Sequence, residues 1–178
     1  MIASVIALLT APATAVFAGL WLLASFAGTC VSRPMPYGPR GYDAARLVEL
    51  WRPNAAAETQ FLYGDLAFAP YFVAVAFAAI LYALDTLGLR AWWPWALALA
   101  IVTLAADWTE NAMLLGQIEV FNAAKRLDPN GVPPLDATRV AIASVATQIK
   151  LVGVYAILGA YAALCVATIV KAVRAALG

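Results

Sequence analysis

From Leu66 to Leu84 the chain carries no charged side chain. At about 1.5 Å per residue, a helix of this length crosses a hydrocarbon core about 30 Å thick. In such a medium only helices and closed barrels satisfy their own backbone polar groups. Three further runs read the same way. Ile2 to Gly28 is uncharged, Val140 to Val170 is broken only by Lys150, and Trp92 to Ile118 is broken only by the acidic residues of Asp107-Trp108-Thr109-Glu110-Asn111. The expected fold class is therefore an all-α integral membrane protein. It is a four-transmembrane-helix bundle with spans 2–28, 66–84, 92–118 and 140–170, forming one polytopic domain over residues 1–178. Residues 2–28 lack a basic flank and exceed the length of a signal-peptide core, so they are expected to stay as a membrane helix.

Composition agrees with that class. Of the 178 residues 65% are hydrophobic and 12% charged, about half the charge of a soluble domain. The net charge of +1 and the absence of an arginine-rich strip argue against nucleic acid as a partner. Histidine is absent, which removes histidine-based acid–base chemistry, histidine-zinc sites and histidine-ligated haem. No metal and no cofactor is expected. Cys30 and Cys165 fall near opposite membrane faces, too far apart to bridge within a chain.

Polar loops are expected at 29–65 and 119–139. In the first, Asp43 caps a short amphipathic helix whose apolar side is Leu47, Val48, Leu50 and Trp51, with Arg46, Glu49 and Arg52 towards water and Pro53-Asn54 at its end. The second begins with a similar amphipathic stretch and turns at Asp128-Pro129-Asn130-Gly131. Both are read as short interfacial helices. Asp65 is expected to cap the second span, and Trp92, Trp93 and Trp95 to form an interfacial belt.

Arg33, Arg40, Arg46, Arg52, Lys125, Arg126 and Arg139 lie on the long-loop side, against Arg90, Lys171 and Arg174 on the other. That bias favours cytoplasmic long loops and outward termini in a bacterial inner membrane.

The acidic residues of the third span are the candidate site. A carboxylate at the bilayer centre costs roughly 2.5–3.5 kcal/mol on insertion scales, so it needs a partner, water or a proton. Asp107, Glu110 and Asn111 are spaced i, i+3, i+4, with Thr103 one turn earlier on the same face. On the fourth span Thr147 and Lys150 share a face, with Ser144, Gln148 and Tyr155 beside them. Asp107 precedes Ile118 by about 16 Å of helix, and Lys150 follows Arg139 by about 16 Å, so antiparallel helices set them level. The expectation is a buried ion pair between Lys150 and Asp107 or Glu110, hydrogen-bonded by Asn111, Thr147 and Gln148. Two acids against one lysine leave one carboxyl to hold a proton or receive a cation or basic ligand, with Glu110 as the candidate. Tyr63, Asp65 and Arg139 are expected at the mouth of a cavity open to the long-loop side.

Small residues Gly159, Ala163 and Ala167, flanked by Ala156 and Ala160, suggest close helix packing within the chain. Trp108 is read as a packing residue.

Three functions stay open. The first is binding or passage of a small polar or amphiphilic ligand, or of a proton, at the Asp107–Glu110–Lys150 site. The second is a non-enzymatic subunit or assembly factor, partnered by another membrane subunit or by copies of itself. The third is a membrane-embedded lipid-modifying enzyme with Glu110 as acid or base. No catalytic motif is present, so the reading leans away from an enzyme. The bilayer itself is a further expected partner.

Overall fold

A computed structural model describes residues 40–177. It is all-α, with three long helices: α1 (Ala44–Leu87), α2 (Trp93–Leu127) and α3 (Ala137–Leu177), and a 3-10 turn at Arg90–Trp92. Each helix is long and apolar enough to cross a membrane. The described bundle thus has three helices rather than four, because the expected span 2–28 lies outside the described residues, as does Cys30.

The helices extend well beyond the uncharged runs. Asp43 caps α1 through a 2.8 Å hydrogen bond from the Arg46 N–H, and the chain is already helical when it reaches Asp65. The expected cap at Asp65 is therefore corrected: its backbone sits inside a helix, and its side chain is free for another task. The short helix expected before Pro53 is the first arm of α1. Proline fixes its own φ and has no N–H to continue the ladder, and the backbone leaves helical geometry at Asn54 (φ −141°, ψ 29°) before resuming. The amphipathic stretch after Ile118 is likewise no separate helix but the last turns of α2.

Polar groups close each turn. At the end of α1, Gly88 adopts φ +79° and its N–H meets the Asp85 carbonyl, while the Leu89 N–H returns to Leu84. This is a left-handed cap that glycine makes cheaply. Asp128 accepts from the Asn130 N–H, and Lys125 Nζ bonds to the carbonyls of Pro129 and Gly131 at 2.7 and 3.0 Å. Asp136 caps α3 through the N–H groups of Thr138 and Arg139. Gln117 Oε1 takes the Asp136 N–H at 2.7 Å, tying the turn back to α2.

The buried positions of α2 include 100, 103, 107, 110, 114, 117 and 121, in alternating steps of three and four, with 106, 111 and 118 beside them. That is the seam of helices crossing at a shallow angle. Along it the core has three layers. At the long-loop end, Leu47 and Trp51 from the first arm of α1 pack with Leu62, Leu114, Ile118, Phe121, Val140 and Ala143. Trp51 meets Phe121 edge to face at 5.8 Å. At the other end Ile80, Leu84 and Ile157 form a second apolar layer, and Ala83 packs on buried Cys165. Between them the seam is polar.

Large apolar side chains such as Ile101, Val102, Val145, Val152, Leu158 and Val166 point outwards, as lipid-facing positions do. Trp92, Trp93 and Trp95 are exposed together, with the Arg90 guanidinium 5.7 Å from the Trp93 ring. Trp108 and Tyr155 also face outwards. The small-residue stripe does not pack as expected: Ala156, Gly159, Ala160, Ala163 and Ala167 are all exposed among the described residues. Close approach occurs instead at Gly153, where an added Cβ would lie 2.1 Å from Thr103 Oγ1.

Gly153→Ala is expected to lower stability by about 1–3 kcal/mol through overpacking against Thr103. Gly159→Ala, where an added Cβ meets nothing within 4 Å, should leave stability unchanged or raise it by up to about 1 kcal/mol. Equilibrium unfolding of the two variants in mixed micelles checks the contrast, and equal losses would place the helix contact elsewhere.

Candidate functional site

The polar layer is built from all three helices. On α1, Glu58, Leu62, Asp65 and Ala69 recur on the buried face, so Asp65 points into the seam. On α2, Thr103, Asp107, Glu110 and Asn111 take seam positions, and α3 supplies Thr147 and Lys150. The close contact at Gly153 lies one turn from Lys150, opposite Thr103, which is one turn from Asp107. With helices this near, a lysine side chain spans the gap.

Lys150 is the hub. Its Nζ lies 2.9 Å from Asp107 Oδ1, in direct contact with Glu110 Oε2, and 3.7 Å from Asp65 Oδ2. An ammonium has three donors, and three carboxylates surround this one. Asn111 locks two of them by donating both amide hydrogens, to Asp65 Oδ2 at 3.2 Å and Asp107 Oδ2 at 3.0 Å. Thr147 Oγ1 donates to Glu110 Oε1 at 2.7 Å, with the Ala143 carbonyl as its alternative acceptor at 2.9 Å. Glu110 Oε2 is buried without a well-angled hydrogen bond and has the Lys150 ammonium as its counter-charge. Glu110 and Asn111 are each 1% exposed, Asp107 4% and Asp65 9%.

A segment preceding α1 covers the loop side of this layer. Gly41 has φ +74°, and a Cβ there would fall 2.5 Å from Ser144 Oγ and 2.8 Å from Gln148 Nε2. Glycine thus lets the backbone press on α3. The Tyr42 N–H donates to Ser144 Oγ at 2.9 Å, and its phenol oxygen lies 3.1 Å from Thr147 Oγ1. Burial pushes the Tyr42 phenol well above its ordinary pKa, so it stays protonated. Buried Glu58 is close enough for its charge to act on the same phenol.

The expected partners of Lys150, Asp107 and Glu110, are thus both engaged, and Asn111 and Thr147 supply hydrogen bonds. Asp65, set at the mouth by the sequence reading, is a member of the cluster. Gln148 turns instead to the Ser144 carbonyl at 3.4 Å, and Thr103 to the Leu99 carbonyl at 2.7 Å. Tyr63 is exposed. Arg139 is exposed and lies 3.7 Å from Asp136 within its own turn. Tyr42 and Glu58 were not singled out from the sequence. The period joining Glu58, Leu62, Asp65 and Ala69 was a signal for Glu58, whereas Tyr42 in its glycine- and proline-rich segment had none. Among the described residues no group of acidic or thiol side chains is arranged to hold a metal ion. Comparison of the chain with family models, curated proteins and solved structures finds no match.

Lys150→Met is expected to cost about 3–5 kcal/mol at neutral pH, because it strands buried carboxylates. The penalty should shrink as the medium is acidified, since protonation removes the unpaired charge. Unfolding of wild type and variant across pH measures this; a small, pH-independent loss would contradict the assigned pairing.

Proposed function

We propose that this chain is a small helical membrane protein whose buried cluster holds an exchangeable proton or a small ligand carrying a basic group. The supporting observation is the charge count at Lys150, where Asp65, Asp107 and Glu110 converge on one ammonium. Three carboxylates beside one cation in a low-dielectric seam do not all ionise readily, so the cluster takes up a proton or a further cation. Intramembrane ionisable residues commonly mark such proton, ion or substrate sites. Access is from the long-loop side, and the basic residues of those loops support a cytoplasmic position for that side in a bacterial inner membrane.

Two readouts on the lipid-reconstituted full chain test this reading. Infrared titration from about pH 9 to about pH 4 should show a protonated-carboxyl band that is lost in the Asp107→Asn, Glu110→Gln double variant. Native mass spectrometry of gently extracted protein should otherwise reveal a basic small molecule lost in the same variant. A cluster that neither titrates nor retains such a molecule overturns the proposal, and a stoichiometric protein partner in its place would favour a subunit role.

The topology has its own check. A reporter fused after Gly178 should read out as external, with a label at Asn130 reached only from the cytoplasmic side; the opposite pattern would reverse the assignment.

A further inference from the structure

Both ends of the seam close in apolar layers, and at the long-loop end a chain of hydroxyls runs beside the layer to the cluster. Away from the loops, Ile80, Leu84 and Ile157 close the seam with an apolar layer, and Tyr161 packs against it. Towards the loops, Glu110 Oε1 accepts from Thr147 Oγ1 at 2.7 Å, and Thr147 Oγ1 lies 3.1 Å from the Tyr42 hydroxyl. Tyr42 sits on the covering segment before α1, with its backbone fixed to Ser144. A continuous pair of hydroxyls therefore joins the covering segment to an acid that is 1% exposed.

We propose that protons reach Glu110 from the long-loop side through the hydroxyls of Tyr42 and Thr147. This rests on the reading that the cluster exchanges a proton. Each hydroxyl gives one proton and receives one. A hydronium ion gives its proton to the Tyr42 oxygen and is left as water, while the Tyr42 O–H bond breaks towards Thr147. The Thr147 O–H bond breaks as its proton passes to Glu110 Oε1. One proton moves inward, both hydroxyls end neutral, and no redox partner is needed. The alternative acceptor of Thr147, the Ala143 carbonyl at 2.9 Å, gives the hydroxyl a second orientation, as a relay requires. Among the described residues, the charges facing Glu110 are Lys150 from α3, Asp107 from α2 and Asp65 from α1, while Glu58 faces Tyr42. The arriving proton lowers the excess negative charge around Lys150.

The test is time-resolved infrared detection of the carboxyl band after a rapid acid jump, on the full chain in lipid nanodiscs. Tyr42→Phe and Thr147→Val each remove one hydroxyl, and each should slow the appearance of the band by about tenfold or more. Thr147→Ser should restore fast uptake, and Tyr82→Phe, on an exposed face of α1, should match wild type. A merely structural role for the two hydroxyls would not follow this hydroxyl-dependent pattern in rate. Wild-type rates in either Tyr42→Phe or Thr147→Val overturn the route while leaving the titrating cluster intact. A wild-type protein with no titrating band overturns both the route and the proton reading of the site.

Discussion

The bundle depends on one ammonium group meeting three carboxylates. A lysine or an acid alone in the seam would carry a desolvation cost that membrane packing cannot offset. Placed together, they bind α1, α2 and α3 at one level, because each helix contributes at least one member. Asn111 and Thr147 spend their donors on the acids, which fixes the carboxylate planes. Apolar layers flank this arrangement above and below.

Van der Waals packing complements the electrostatics. Lys150 reaches Asp107 directly because Gly153 lets α3 approach Thr103 of α2. Between membrane helices there is little hydrophobic drive, since lipid tails are as apolar as leucine. Close backbone approach and satisfied polar groups therefore carry the specificity. The cluster is also charge-imbalanced, which a purely structural lock would not require. That imbalance is the observation on which the proposed proton or cation reading rests.

Much of this was legible from residue spacing. The level placement of Asp107 and Lys150 followed from counting helical rise from either end of the connecting loop, and the contact lies where that count put it. Asp65 lies inside its helix rather than at its start, because an uncharged run marks only the apolar part of a helix and not its first turn. Helices continue through polar residues when one face is buried, and the period from Glu58 to Ala69 carried that information. The stripe at Gly159, Ala163 and Ala167 illustrates the converse. Small residues permit close approach without specifying it, and among the described helices the tight contact falls at Gly153. Tyr42 depends on tertiary contacts with Ser144 and Thr147 that no local pattern encodes.

The most direct measurement is solid-state NMR of the full chain in lipid, with Lys150 labelled at its side-chain nitrogen and the acids at their carboxyl carbons. The account requires a charged ammonium with slow hydrogen exchange and dipolar contacts to the carboxyl carbons of Asp65, Asp107 and Glu110. A neutral amine, or an ammonium in fast exchange with no contact to these carbons, would contradict it.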